Sequence, residues 1–173
     1  MVALELSCRK NGTLRLLHSD ALTVPTGSPR EPFQWSVNVN GRLKLGLVPD
    51  RVFALESADG KRSFYFLEAD RSTMPVMRQG LSQSSFHRKL IAYEATWTQG
   101  IHRSRFDFHR FRVLTVTTSS ERVQSLVEVC RQLERGRGLF LFTHAAALAE
   151  SGDLLTLLFQ SGRDGLFETL AGD

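Results

Sequence analysis

The sequence predicts a mixed α/β fold in which one central β-sheet is flanked by helices. Short apolar runs with a period of two alternate along the chain with longer segments of helical period, which is typical of α/β proteins. Asn40-Gly41 and Asp59-Gly60 stand between extended segments, as hairpin turns do. The 173 residues match the usual size of one domain, and we find no internal repeat, so we expect a single domain over 1–173.

The N-terminal part of the chain is expected to form a helix followed by short strands. Residues 2–10 carry apolar side chains and end at Asn11-Gly12, which suits a short helix with a glycine stop, although a strand is the alternative. Alternation predicts a strand over 13–17. The segment 22–33 is rich in proline and glycine and is expected to be a loop, and residues 35–46 form extended segments around a turn.

The pattern of residues in the middle of the chain predicts a β-hairpin covered by a helix. Residues 51–57 and 62–70 lie on either side of Asp59-Gly60, and the aromatic density of the second run indicates a central strand covered on both faces. Residues 82–98 carry apolar side chains at three- and four-residue spacing, which defines a helix face that we expect to pack on the hairpin. That face consists of Phe86, Leu90, Tyr93 and Trp97.

The C-terminal half predicts two further strands with a helix between them. Residues 111–118 have the pattern of a buried strand, and Ser119 or Ser120 can cap a helix whose apolar positions fall on one side. Those positions are Val123, Leu126, Val127, Cys130 and Leu133. Gly136 and Gly138 then begin the last predicted strand.

Composition excludes several classes of protein. Hydrophobic residues make up 42% and charged residues 23% of the chain, which excludes disordered, fibrous and coiled-coil proteins. The apolar runs are far shorter than the roughly 20 residues of a membrane helix, and we see no export signal, so we expect a cytoplasmic protein with no membrane partner. Cys8 and Cys130 lie outside any metal-ligand pattern and are expected to be buried, unreactive thiols.

Three carboxylates stand at the ends of the two hairpin strands. Asp50 opens the first strand, and Glu68 and Asp70 close the second. Alternation places Glu68 and Asp70 on one face, and hairpin pairing brings Asp50 close to them. Like charges held together raise one another's pKa unless a cation lies among them, so we expect the three to bind Mg²⁺ or Mn²⁺. The alternative is that Asp50 caps a turn and that Glu68 and Asp70 end a solvated strand.

These residues resemble a known nuclease pattern. Pro49-Asp50, followed after a turn by Glu68-Ala69-Asp70, resembles the PD-(D/E)XK nuclease superfamily. The segments LVPDRVFAL, FYFLEADRST, FHRKLIAYEATW and FRVLTVTTSSER resemble the replication-relaxation proteins of bacterial plasmids and mobile elements, and the similarity spans most of the chain. The resemblance implies a restriction-endonuclease-like core with the order αβββαβ. In that family a winged-helix DNA-binding region often precedes the core, and we find none in this sequence.

The resemblance also implies a role for each acid. Asp50, Glu68 and Asp70 correspond to the metal-binding acids, and Glu5 corresponds to a further acid that some members carry on the first helix. Asp70 stands where the superfamily has its usual lysine, so the role of that lysine passes to another residue or is lost. Lys89 is the best substitute, because related nucleases move this lysine to a helix, from which its amine reaches the attacking water or the phosphate. The alternative is that Lys89 is a solvated helix residue.

Basic residues cluster in two stretches after the hairpin. The first contains Arg88 and Lys89, and the second runs over 102–112 with three phenylalanines between its cations. Cations on phosphates release counterions and aromatic rings stack on unpaired bases, so the second stretch is a candidate DNA face. An edge strand with phenylalanines inward and charges outward is the alternative. The candidate DNA-binding residues are Arg71, Arg88, Arg103, Arg105 and Arg110.

Two functions agree with these observations. The first is a Mg²⁺-dependent nuclease, a hydrolase that cleaves or nicks DNA in the replication or relaxation of plasmids and mobile elements. The second is a non-catalytic DNA-binding or protein-interaction module on the same fold, which the missing lysine in the acidic triplet favours. As protein partner we expect a second copy of the chain in a homodimer, or a replication or mobilisation protein.

Overall fold

Helices and strands alternate along the chain in the computed structural model, which describes residues 1–23, 32–39, 41, 43–78, 85–163 and 165–171. The helices are α1 (Val2–Asn11), α2 (Phe86–Thr98), α3 (Ile101–Phe106), α4 (Ser120–Cys130) and α5 (Ala145–Glu150). The strands are β1 (Leu14–His18), β2 (Trp35–Val39), β3 (Leu43–Leu47), β4 (Arg51–Ser57), β5 (Arg62–Ala69), β6 (Phe111–Thr117), β7 (Phe140–His144), β8 (Phe159–Ser161) and β9 (Phe167–Glu168). In these parts of the chain, no helix is long and apolar enough to cross a lipid bilayer.

Seven strands form one mixed sheet in the order β1-β4-β5-β6-β7-β8-β9. The strands β1, β4 and β5 make an antiparallel meander, whereas β6 and β7 run parallel to β5. Parallel neighbours need crossover connections, which contain α2 and α3 before β6 and α4 before β7. The strands β2 and β3 form a separate antiparallel pair. The predicted class, a mixed α/β fold with a central mixed sheet flanked by helices, is confirmed.

Apolar clusters cover both faces of the sheet. On one face, Phe66 of β5 lies in the cluster that contains side chains of α2, α4 and the β2–β3 pair. The ring centroids of Phe66 and Tyr93 are 5.6 Å apart, so α2 packs on the hairpin as predicted. On the other face, Leu4 and Cys8 of α1 belong to the cluster that contains Tyr65 of β5. The two faces of β5 are therefore covered by different helices.

The predicted helices and turns agree with the structure at most positions. The helix α1 ends before Gly12, whose φ of 73° is the left-handed conformation that glycine adopts readily. The Ser119 side chain caps α4 by accepting a 3.3 Å hydrogen bond from Arg122 N. Both cysteines are free and buried as predicted, and burial raises the pKa of Cys130 to about 12. Residues 24–31, most of the predicted loop, and 82–84, the predicted start of α2, lie outside the described residues.

The structure differs from the prediction for Trp97 and, for residues 103–112, from the edge-strand alternative in its backbone but not in its inward phenylalanines. The spacing predicts Trp97 on the buried face of α2, but it is 40% exposed, because it lies on the last turn of the helix and lines a pocket. The edge strand considered for 103–112 is instead the helix α3 followed by the start of β6. Phe106, Phe108 and Phe111 are at most 2% exposed, so these rings are part of the core and do not offer a face for stacking on bases.

Candidate functional site

The β4–β5 hairpin and α2 bring Asp50, Glu68 and Lys89 together. Asp50 stands directly before β4, and its Oδ2 accepts a 2.8 Å hydrogen bond from the backbone N–H of Ala69. This bond holds Asp50 at the end of β5, next to Glu68. Lys89 lies in the first turn of α2, and its Nζ donates to Oε2 of Glu68. Lys89 therefore contacts the acid at the hairpin end, and its side chain is only 33% exposed.

Glu68 is a buried carboxylate with two donors. It is 1% exposed, and the hydroxyl of Tyr93 donates a 2.6 Å hydrogen bond to its Oε1. Burial raises the pKa of Glu68 above its ordinary value, Lys89 and Tyr93 offset part of this rise, and the negative charge of Asp50 adds to it. The surroundings of Glu68 therefore disfavour its ionised form. A further cation between Asp50 and Glu68 would stabilise the negative charge of both carboxylates. Glu68 is therefore not a solvated residue at the end of a strand, which was the alternative to a functional acid.

Asp70 has different partners from the other two acids. Its carboxylate accepts hydrogen bonds of 2.7 and 3.2 Å from Nε and Nη2 of Arg122 and one of 2.9 Å from Oγ1 of Thr117. Burial alone would raise the pKa of Asp70, but the hydrogen bonds from Arg122 and Thr117 hold it below its ordinary value. Asp70 thus joins the end of β5 to the end of β6 and the start of α4.

The expected convergence of three carboxylates on one ion is not what the structure shows. Asp50 and Glu68 come together, whereas Asp70 is bound to Arg122. Across the described ranges, no group of three or more His, Cys, Asp or Glu side chains is arranged to hold a metal ion. Glu5 lies on α1, whose apolar side packs on the opposite face of the sheet, and it pairs with Arg9 at 2.7 Å. The structure therefore leaves Asp50 and Glu68 as the acids that could share an ion.

The predicted DNA-binding arginines fall into two groups. Arg71 is exposed and directly follows Asp70, and Arg88 is half-buried and directly precedes Lys89 in the first turn of α2. The second group lies at the other end of α2, which is roughly 20 Å long. Arg103 and Arg105 are on α3, and Arg110 lines a pocket at the start of β6. The Arg105 guanidinium donates a 2.8 Å hydrogen bond to the carbonyl of Gln34, which gives this residue a structural contact.

Sequence reasoning missed several polar groups around the acids. The apolar spacing of α2 indicates only a packing role for Tyr93, yet its hydroxyl reaches Glu68. Thr117 and Arg122 reach Asp70 because the parallel strands β5 and β6 end at the same edge of the sheet, which only the strand order reveals. Thr115 stands opposite Glu68 in that pairing, and its buried hydroxyl has no hydrogen-bond partner within the described part of the chain. A buried hydroxyl of this kind calls for an explanation, and a bound water beside Glu68 is one.

Comparison with protein-family models, with curated proteins and with solved structures finds no match to this chain. The functional conclusion therefore depends on the geometry of the site.

Proposed function

We propose that the protein is a divalent-metal-dependent deoxyribonuclease of the PD-(D/E)XK type that cleaves or nicks DNA in the replication or relaxation of plasmids or mobile elements. The observation that carries the proposal is the meeting of Asp50, Glu68 and Lys89 at one end of the β4–β5 hairpin. A buried acid with a raised pKa, next to a second acid and an amine, is more typical of a functional site than of a surface ion pair.

The order of the elements supports the same proposal. The elements α1, β1, β4, β5, α2 and β6 follow the αβββαβ order of a restriction-endonuclease-like core, with the β2–β3 pair inserted after the first strand. Asp50 and Glu68 stand at the ends of the second and third strands of that order. Lys89 stands on the following helix, which is where the resemblance places a relocated lysine.

Asp50 and Glu68 have the chemistry of a magnesium or manganese site. Magnesium keeps several of its waters and is commonly held by one or two carboxylates together with substrate phosphates, so two acids are sufficient. Asp50 is exposed, which makes its carboxylate accessible to a hydrated ion, and Glu68 is a hard oxygen donor directly beside it. When bound, the ion would lower the pKa of a water and stabilise negative charge on the phosphate.

The other side chains of the site act by positioning and by charge. Tyr93 keeps Glu68 oriented, because burial and the negative charge of Glu68 raise the pKa of its hydroxyl well above the ordinary value and keep it a donor. The Lys89 amine supplies a positive charge at the place where a phosphate would meet the ion. Asp70 and Arg122 fix the ends of β5 and β6 and do not act as ligands. Arg71 is exposed at this edge, where it would contact the DNA backbone.

Nicking of a supercoiled plasmid tests this proposal. We expect the wild-type protein to form relaxed circles in millimolar Mg²⁺ or Mn²⁺ and to lose this activity in EDTA. Asp50→Ala should abolish nicking, whereas Asp20→Ala should not, because Asp20 is an exposed aspartate in the turn after β1. A folded wild-type protein that binds DNA and does not cleave it in either ion would contradict the proposal.

A non-catalytic DNA-binding or protein-interaction module on the same fold is the second candidate. It is favoured by the pairing of each buried acid with a protein cation, Glu68 with Lys89 and Asp70 with Arg122, since this balances their charge without a metal. The module predicts DNA affinity that is the same in EDTA and in Mg²⁺, with no cleavage under either condition.

A further inference from the structure

A polar pocket lies at the end of the sheet opposite to Glu68. Its volume is about 740 Å³, and it is lined by residues at the starts of β5 and β6 and by the segment before β7. Arg62 lines it and stands six positions before Glu68 on β5, which corresponds to roughly 20 Å of extended chain. The volume falls within the range of about 300–1,000 Å³ that is usual for small-molecule sites.

Positive charge is concentrated in this pocket. Its lining includes Arg62, Arg110, Arg112, Arg135, Arg137 and Arg163. Arg62 pairs with Glu56, Arg112 pairs with Glu168, and Glu134 is the acid within the described lining. Glu94 also lies beside the pocket, since its Oε1 accepts a 2.7 Å hydrogen bond from the backbone N–H of Arg135. Six guanidinium groups against the four carboxylates of Glu56, Glu94, Glu134 and Glu168 leave an excess of two positive charges. Because guanidinium groups stay protonated, only an anion or salt can relieve their repulsion.

The structure shows where two of these guanidinium groups lie. Nε of Arg137 donates a 2.9 Å hydrogen bond to the carbonyl of Leu133. Arg163 lies so close to Gly138 that a Cβ added there would stand 2.6 Å from its Nε and 2.8 Å from its Nη2. The absence of a side chain at Gly138 therefore makes room for the Arg163 guanidinium. The hydrogen bond to Leu133 orients Arg137, and a guanidinium group that is already oriented loses less conformational entropy when it binds an anion.

Trp97 adds an aromatic surface to the same pocket. It is 40% exposed, and a Cβ added at Gly136 would stand 3.7 Å from its ring. Arginine side chains form bidentate hydrogen bonds to phosphate, and an exposed indole ring can stack on a base. The other tryptophan, Trp35, is buried, and its Nε1 donates to Thr96. A change of fluorescence on ligand binding would therefore report on Trp97.

We infer that this pocket binds a phosphorylated nucleotide, with the phosphate on Arg135 and Arg163 and the base against Trp97. The ligand is a free nucleoside phosphate or the 5′-phosphorylated end of a single-stranded oligonucleotide, and the two sources share a phosphate attached to a nucleoside. The site is separate from Asp50 and Glu68, so nucleotide binding here does not depend on cleavage of DNA there.

Titration of the full chain with ATP, with 5′-phosphorylated hexathymidylate and with pyrophosphate tests the inference. We expect ATP or the oligonucleotide to quench the fluorescence of Trp97 and to bind more tightly than pyrophosphate. Tighter binding of ATP would identify the ligand as a free nucleoside phosphate, and tighter binding of the oligonucleotide would identify it as a 5′-phosphorylated end. Arg163→Ala should weaken binding about tenfold or more, because a charge-assisted hydrogen bond is lost. Gly138→Ala should also weaken it, by displacing Arg163. Arg9→Ala, on the exposed side of α1, should bind as the wild type does.

Three results would overturn the inference: no binding of ATP or the oligonucleotide at millimolar concentration, pyrophosphate binding as tight as ATP binding, or wild-type affinity in Arg163→Ala. If Arg163→Ala does not fold, Arg163→Lys replaces it. Lysine keeps the charge but loses the bidentate geometry, so a smaller loss, of about a few-fold, is expected, and wild-type affinity in Arg163→Lys would then overturn the inference. Gly138→Ala should nick plasmid at the wild-type rate, so a failure of this site and a failure of the proposed nuclease are distinguishable.

Discussion

Replacement of Asp70 by asparagine tests whether this acid is a structural residue. The change keeps the shape of the side chain and removes its charge, which leaves Arg122 without its ionic partner. The two side chains are 4% and 15% exposed, and removal of one partner of a buried ion pair costs about 3–5 kcal/mol. Arg122 retains its 2.6 Å hydrogen bond to the carbonyl of Met74, so we expect the lower end, about 3 kcal/mol. In a chain of this size that loss lowers Tm by roughly 6–12 °C.

Urea unfolding of the wild type, Asp70→Asn and the control Asp20→Asn measures this loss. The pKa of Asp70 is lower in the folded protein than its ordinary value of 3.8, so its contribution to stability is complete above that value and is lost as the pH falls through the lowered pKa. The difference between the wild type and Asp70→Asn should therefore be constant from pH 7 to pH 5 and shrink in acid below about pH 4. If the free energies of unfolding of the wild type and Asp70→Asn differ by less than about 1 kcal/mol at pH 7, the buried ion pair is refuted. Asp70 would then again be a candidate metal ligand.

Three further predictions concern the lysine, the metal and the basic segment. Lys89→Ala should slow single-turnover cleavage by about 10²–10³ with little change in DNA affinity, whereas Lys10→Ala, on α1, should cleave normally; equal rates for the two variants would remove Lys89 from the mechanism. Millimolar Mn²⁺ should raise the Tm of the wild type by mass action and leave that of Asp50→Ala unchanged, and a wild-type Tm that does not respond counts against the metal site. Alanine at Arg103, Arg105 and Arg110 should weaken DNA binding on all sequences and flatten its dependence on salt. Wild-type affinity and slope in that variant would place α3 outside the DNA interface.

Local patterns predicted the hairpin well because its signals lie within a few residues of one another. Asp59-Gly60 predicts the turn between β4 and β5, and Gly60 has the positive φ, 81°, that such a turn requires. Alternation within β5 placed Glu68 and Asp70 on one face, and hairpin pairing placed Asp50 near Glu68. These are short-range consequences of strand geometry.

The partners of the acids depend on contacts between distant parts of the chain. Asp70 meets Arg122 because β6 pairs in parallel with β5 more than 40 residues later, and no local pattern fixes that register. For the same reason, the six arginines of the arginine-lined pocket are scattered from Arg62 to Arg163 in the sequence. The segment at 103–112 was ambiguous because its phenylalanines fit neither a period of two nor one of 3.6 throughout.

The most direct test of whether Asp50, and not Asp70, is a metal ligand is plasmid nicking by the two asparagine variants. Asp50→Asn and Asp70→Asn are compared at a temperature at which both are folded. Asparagine at 50 can still accept the hydrogen bond from Ala69, so the turn is retained while the charge is lost. We predict that Asp50→Asn does not nick DNA in Mg²⁺, and that Asp70→Asn nicks it within a few-fold of the wild-type rate. Loss of nicking in folded Asp70→Asn, or wild-type nicking in Asp50→Asn, would contradict the account.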